Sequence, residues 1–137
     1  MAVISELLRT EADGSISFGN YELDKKSKVE DYPFQGDLLK VKTFNEITKL
    51  EKNGLFLYES VPGTAVTNFK ETQDGVTFKV EAPEDVQITL GLEEDVLYEI
   101  FLNDESTGAV QTGLGGKLSI SVETANADAI SVKIVKA

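Results

Sequence analysis

Histidine, cysteine and tryptophan are absent from the 137 residues, and arginine occurs once, as Arg9. Each absence removes a class of chemistry. Without histidine there is no imidazole base, no Ser-His-Asp triad and no zinc hydrolase with His ligands. Without cysteine there are no disulfides, thiol nucleophiles or thiolate metal sites, so stability has to come from packing, and a cytoplasmic address fits. One arginine leaves no multi-arginine clamp for carboxylate or phosphate substrates. The missing tryptophan weakens any sugar site, which stacks rings on aromatic platforms, and leaves Tyr21, Tyr32, Tyr58, Tyr98 and the phenylalanines. Long apolar runs are missing as well: none approaches the roughly 20 residues of a membrane helix. Met1 to Arg9 carries Glu6 inside a short apolar stretch and has no cationic start, which differs from a secretory signal. The chain reads as mature and soluble.

Positive charge is also scarce. Twenty-four carboxylates against 13 basic residues give a net charge of −11, which repels nucleic-acid backbones and anionic membranes alike. Neither is expected as a partner. The imbalance is uneven: residues 1–62 hold 11 acids and 8 bases, whereas residues 63–137 hold 13 and 5. A hydrophobic share of 41% is ordinary for a globular protein and too high for a disordered one.

What is present is a recurring hairpin signal. Asp13-Gly14, Asn53-Gly54, Asp74-Gly75 and Gly115-Gly116 are dipeptides that tolerate the positive φ of tight hairpin turns. Alternating segments follow them: Ile16 and Phe18; Val76, Phe78 and Val80; Leu118, Ile120 and Val122. A period of two puts each set on one buried face. The segments at 86–90, 97–102 and 130–135 continue the pattern, with polar breaks at Asn103-Asp104 and 126–128. From about residue 64 this makes seven strands at roughly ten-residue spacing, the signature of a small antiparallel β-sandwich.

The first half is less uniform. A hairpin is expected over 2–10 and 14–23, then a charged loop from Asp24 to Gly36 that contains Pro33. A strand over Leu38 to Lys42 leads into Thr43 to Glu46, which has the spacing of a helix capping box. Residues 44–52 fit either a short helix or an extended strand, because Asn53-Gly54 serves as a helix exit or as a hairpin turn. The expectation is a mainly β fold of two parts: an N-terminal β-rich module over 1–62, with a hairpin and room for that helix, and an Ig-like sandwich over 63–137. Pro62-Gly63, where the charge balance shifts, marks the boundary.

Carboxylates are the one remaining source of catalytic chemistry, as in the acid pairs of glycosidases. Glu84-Asp85, Glu93-Glu94-Asp95 and Asp104-Glu105 each fall between strands, where solvated turn residues are the plainer explanation. Oxygen ligands for a structural calcium ion could come from Asn103, Asp104 and Glu105, or from Glu93 to Asp95, although no EF-hand spacing exists. Gly113 to Gly116 has the look of a phosphate loop but lacks the following Lys-Ser or Lys-Thr and reads as a turn. Gly19 reads as a bulge or a close backbone approach. No catalytic residue and no cofactor are assigned.

Leu55, Phe56, Leu57 and Tyr58 are consecutive, and with Val61 they form the densest apolar run in the chain. An unbroken run is expected of a strand covered on both faces. The second cover would come from the N-terminal module or from another subunit, which makes these five residues the expected interface of a homo-oligomer.

The segments Asp37 to Gly54, Tyr58 to Val66 and Leu114 to Val122 resemble a group of small clostridial (Firmicutes) proteins that carry the label endosialidase. The resemblance implies a link to glycans. It does not carry over a catalytic residue, because sialidase sites use an arginine cluster on a propeller far larger than this chain. Leu97 to Asp104, Thr107 to Gly113 and Gly116 to Val122 also resemble the three-strand meander of Ig-like modules on carbohydrate-active enzymes. The leading expectation is a non-enzymatic binding or structural protein that self-assembles. A carbohydrate-associated module and a carboxylate-dependent hydrolase are the alternatives.

Overall fold

The computed structural model describes residues 3–125 and 127–137. Met1, Ala2 and Asn126, the last belonging to the polar break expected at 126–128, lie outside the described residues. Thirteen strands and no helix are found among the described residues. Up to Pro62 they are β1 (Leu8–Thr10), β2 (Ile16–Phe18), β3 (Ser27–Phe34), β4 (Asp37–Thr43), β5 (Thr48–Lys52) and β6 (Leu55–Val61). After it come β7 (Ala65–Thr72), β8 (Gly75–Glu81), β9 (Val86–Gly91), β10 (Leu97–Leu102), β11 (Glu105–Gln111), β12 (Lys117–Val122) and β13 (Ile130–Lys136), which are the seven strands that the spacing predicts.

Alternation fixes which side of each strand is buried. In β12 the pattern is strict, with Leu118, Ile120 and Val122 inside and Lys117, Ser119 and Ser121 outside. The strands form two antiparallel sheets packed face to face, the mainly β sandwich expected from the sequence. Sheet I has the order β1-β2-β7-β8-β13-β10-β11 and sheet II the order β12-β9-β6-β5-β4-β3. Tyr58 of sheet II packs edge-on against Phe18, Phe69 and Phe78 of sheet I, with ring centroids 5.1, 6.2 and 5.7 Å away. Such edge-to-face pairs add about 0.5–1.5 kcal/mol each beyond simple burial.

Both sheets draw strands from both sides of Pro62. The pairs β2–β7 and β6–β9 cross that point, and one apolar cluster runs from Leu8 to Ile134. The two stretches therefore share a single core.

Several local expectations are resolved or corrected. Of the two readings of 44–52 the extended one holds: Thr48 to Lys52 is β5, paired with β4 from Thr43↔Thr48 to Leu39↔Lys52. The Thr43 hydroxyl that would have capped a helix accepts from the Asn20 N–H at 2.9 Å and meets Thr48 Oγ1 at 2.8 Å. Asn53 and Gly54 have φ of 53° and 79° and make the two-residue β5–β6 turn. The charged segment 24–36 is not all loop, since β3 lies within it. Pro33 is compatible with β3 because the strand is an edge of sheet II, where a missing N–H leaves no neighbour unpaired. Gly115-Gly116 does not close a hairpin: β11 pairs with β10 in sheet I, β12 pairs with β9 in sheet II, and the glycines carry the chain across. The meander read from 97 to 122 is thus one hairpin plus a strand of the other layer.

Candidate functional site

The apolar run 55–61 has a different cause from the one its composition points to. Across β5–β6, Leu50 stands opposite Tyr58 and Glu51 opposite Phe56, so Leu57 has no partner and forms a β-bulge. A bulge turns two successive side chains to the same side. Leu57 and Tyr58 are accordingly both buried in this chain's own core, at 6% and 0% exposure. Of the five expected interface residues, Leu55 and Val61 are exposed, at 73% and 51%. Phe56 is half-buried beneath the Lys117 ammonium, which sits 4.9 Å from its ring centroid.

Behind Tyr58 runs a thread of buried hydroxyls. Tyr58 Oη meets Thr64 Oγ1 at 2.8 Å, and Ser60 Oγ meets the same atom at 2.9 Å. Thr48 Oγ1 donates to Thr64 O at 3.1 Å and accepts from Thr64 N at 3.0 Å, and Thr43 continues the thread to Asn20. Gly19 passes so close that a Cβ there would stand 2.4 Å from Thr64 O, which is the close backbone approach expected of it. Burial pushes the Tyr58 phenol far above its ordinary value, so it stays protonated. Sealed from water and satisfied, this thread positions backbone and offers no reacting group.

Four of the loop carboxylates are likewise engaged. Glu93 Oε2 pairs with Lys136 Nζ at 2.6 Å, Glu94 Oε2 accepts from Gly115 N at 3.0 Å, and Asp95 Oδ1 accepts from Gln111 Nε2 at 2.7 Å. Asp85 Oδ1 accepts from Ala125 N at 3.1 Å. Asn103 and Asp104 form the two-residue β10–β11 turn, with φ of 49° and 68°, and Asn103 Oδ1 accepts from Ser131 N at 2.9 Å. Together with exposed Glu105 they act as turn chemistry, and among the described residues no group of three or more acidic side chains is placed to hold a metal. The rings are mostly internal: Tyr21, Tyr58 and Tyr98 are buried, and Tyr32 bonds Thr10 Oγ1 at 2.9 Å.

Two grooves lie near the bulge. One, of about 130 Å³, opens between the sheets, lined by Ile16 and Phe69 on one side and Leu39 and Leu57 on the other, with Lys52 and Glu71 at its rim. That is below the roughly 300–1,000 Å³ usual for ligand sites. The rim pair, at 2.8 Å, ties the two layers together. The other groove, of about 450 Å³, is open and runs past Phe56, Leu92 and Lys117.

The strand edges differ more sharply than the grooves do. The Thr10–Tyr32 bond places β1 and β3 on one side of the sandwich. There β1 has three residues, and β3 carries Pro33 and a bulge at Glu30-Asp31, where Asp31 has a φ of 55°. On the other side, β11 breaks register at Thr107. Short length, proline, bulges and charged residues, lysine above all, are the devices that stop edge pairing. β12 has no proline and no bulge, and its one charge, Lys117, stands at its first residue: six residues run in unbroken register with β9, from Lys117↔Gly91 to Val122↔Val86. The chain matches no protein-family model, no curated protein and no solved structure.

Proposed function

We propose that the protein is a non-catalytic structural or binding protein that works as a homo-oligomer joined through its β-sheet edges. One observation carries this reading: sheet II ends on β12, an edge in unbroken register with its one charge at the first residue, in a fold whose other three edges are short, carry proline or are bulged. The joining surface moves accordingly from the 55–61 run to β12, because Leu57 and Tyr58 fill the chain's own core. A cytoplasmic location goes with this reading, since a chain without cysteine gains nothing from an oxidising compartment. Mass photometry and sedimentation velocity at micromolar concentration test it. A defined oligomer is expected, and a strict monomer of 14.9 kDa overturns the assembly.

A further inference from the structure

Resting on that reading, we infer that two copies of this chain pair antiparallel through β12 about a two-fold axis at Ile120, joining two six-stranded sheets into one of twelve. The stretch Lys117-Leu-Ser-Ile-Ser-Val-Glu123 is a palindrome in physical type. Centred on Ile120, antiparallel pairing sets Ser119 opposite the partner's Ser121, Leu118 opposite the partner's Val122, and Lys117 opposite the partner's Glu123. Residues directly opposite in such a pair share a face, so inner apolar residues meet inner ones and outer polar residues meet outer ones. A one-residue shift would place serines against core side chains.

The ends of the palindrome supply the charge match. Lys117 and Glu123 are both exposed, and among the described residues neither is in an ion pair. The two-fold uses each twice, once per copy. In a chain of net charge −11, residues 118–122 carry none, so this edge lets two acidic molecules approach without placing like charges opposite each other.

Main-chain parity agrees. Leu92 N donates to Gly116 O at 2.8 Å. Continued through the β9–β12 register, that bond aims the backbone groups of Leu118, Ile120 and Val122 at β9 and those of Ser119 and Ser121 at the open side. Ser119 and Ser121 are the residues that the proposed register pairs, so each N–H and C=O left unmatched within the sheet finds a partner across the axis. The same axis runs beside β11 in the other layer. There Val110 pairs with buried Tyr98 yet remains 42% exposed, an apolar side chain left to be covered.

A charge swap tests the register. Lys117→Glu and Glu123→Lys are each expected to weaken the dimer roughly tenfold or more, because both symmetric pairs turn from attraction to repulsion. The double variant Lys117→Glu/Glu123→Lys should recover most of the wild-type affinity in sedimentation equilibrium. Glu123→Lys removes no hydrogen bond or ion pair among the described residues, whereas Lys117→Glu also removes the cation over Phe56, so the first is the cleaner single. Hydrogen exchange gives a second readout: the Ser119 and Ser121 amides should become protected as concentration rises, while the Leu118 and Ile120 amides are protected throughout. If the wild type associates but the singles dimerise normally, or the Ser119 and Ser121 amides stay open, the β12 seam is wrong and assembly runs through another surface. A wild-type monomer removes seam and assembly together.

Discussion

Tyr58 Oη lies 2.8 Å from Thr64 Oγ1 at a point where neither side chain touches solvent. The two residues flank the turn that carries the chain from sheet II into sheet I, so this contact joins the layers at the place where they are linked covalently. Replacing Tyr58 by Phe keeps the four-ring packing and removes one buried hydrogen bond, while Thr64 Oγ1 keeps Ser60 Oγ as a partner. The expected loss is about 0.5–1.5 kcal/mol, read from urea denaturation.

The same phenol sets an alkaline limb. Its folded-state value is raised above the unfolded one, so its stability contribution is complete below about pH 10 and is lost as pH rises beyond that. Wild-type stability should fall above about pH 10, with Tyr58 contributing a slope of up to roughly 1.4 kcal/mol per pH unit. Tyr58→Phe should flatten the curve by one proton's worth. Identical slopes in the two proteins would show that Tyr58 titrates freely in the folded state.

Neighbouring positions on β6 should behave in opposite ways. Leu57→Glu places an unpaired carboxylate in the core and is expected to prevent folding, with loss of the cooperative unfolding transition. Leu55→Glu, at a residue 73% exposed, should change stability by no more than about 0.5 kcal/mol. Tyr58→Glu should abolish the transition as Leu57→Glu does, because the bulge turns both side chains inward, whereas a strand in regular register would set Leu57 and Tyr58 on opposite faces.

Most strands after residue 63 were legible because their alternation is clean, as in Val76, Phe78 and Val80 of β8. The bulge at Leu57 was not, since two inward-facing neighbours on a bulged strand spell the same run of letters as a strand buried on both sides. β3 was hidden by its edge position: with both neighbours of Pro33 partly exposed, its alternation carries little apolar contrast. The fate of Gly115-Gly116 was illegible for another reason, because a glycine pair reports positive φ and not which sheet the chain enters next. The polar thread left a faint signal in Thr43, Thr48, Ser60 and Thr64, all on buried positions, but hydroxyls are too common in strands for four of them to stand out.

At low pH the hairpin of β1 and β2 should loosen first. The Ser17 hydroxyl, and after it Arg9, hold the Glu11 carboxyl below its ordinary range. Ser17 in turn accepts from Asn68 N at 3.2 Å, which ties the hairpin to β7. A depressed carboxyl contributes stability above its unfolded value, and that contribution is lost as pH falls through the folded one. Ser17→Ala should move the Glu11 titration upward toward the ordinary range in an NMR pH series. An unmoved titration would mean that Arg9 alone sets it.

The β10–β11 turn separates a turn role from a metal role for Asn103 and Asp104. Asp104 has a φ of 68°, and its carboxylate makes no hydrogen bond or ion pair among the described residues. Asp104→Gly relieves the left-handed conformation at the second turn position, where Asn-Gly is the favoured pair. Unfolded-state entropy offsets part of that gain, so the expected change is a stabilisation of up to about 0.5 kcal/mol. Asn103→Ala, which loses the bond to Ser131 N and places an alanine at positive φ, should instead cost about 1–2 kcal/mol. If the two residues hold a structural calcium ion, the signs change: Asp104→Gly removes a charged ligand, and added calcium raises the wild-type melting temperature but not that of the variant. Thermal unfolding of the three proteins with and without millimolar calcium therefore distinguishes the roles, and the turn geometry favours a calcium-independent order with Asp104→Gly highest.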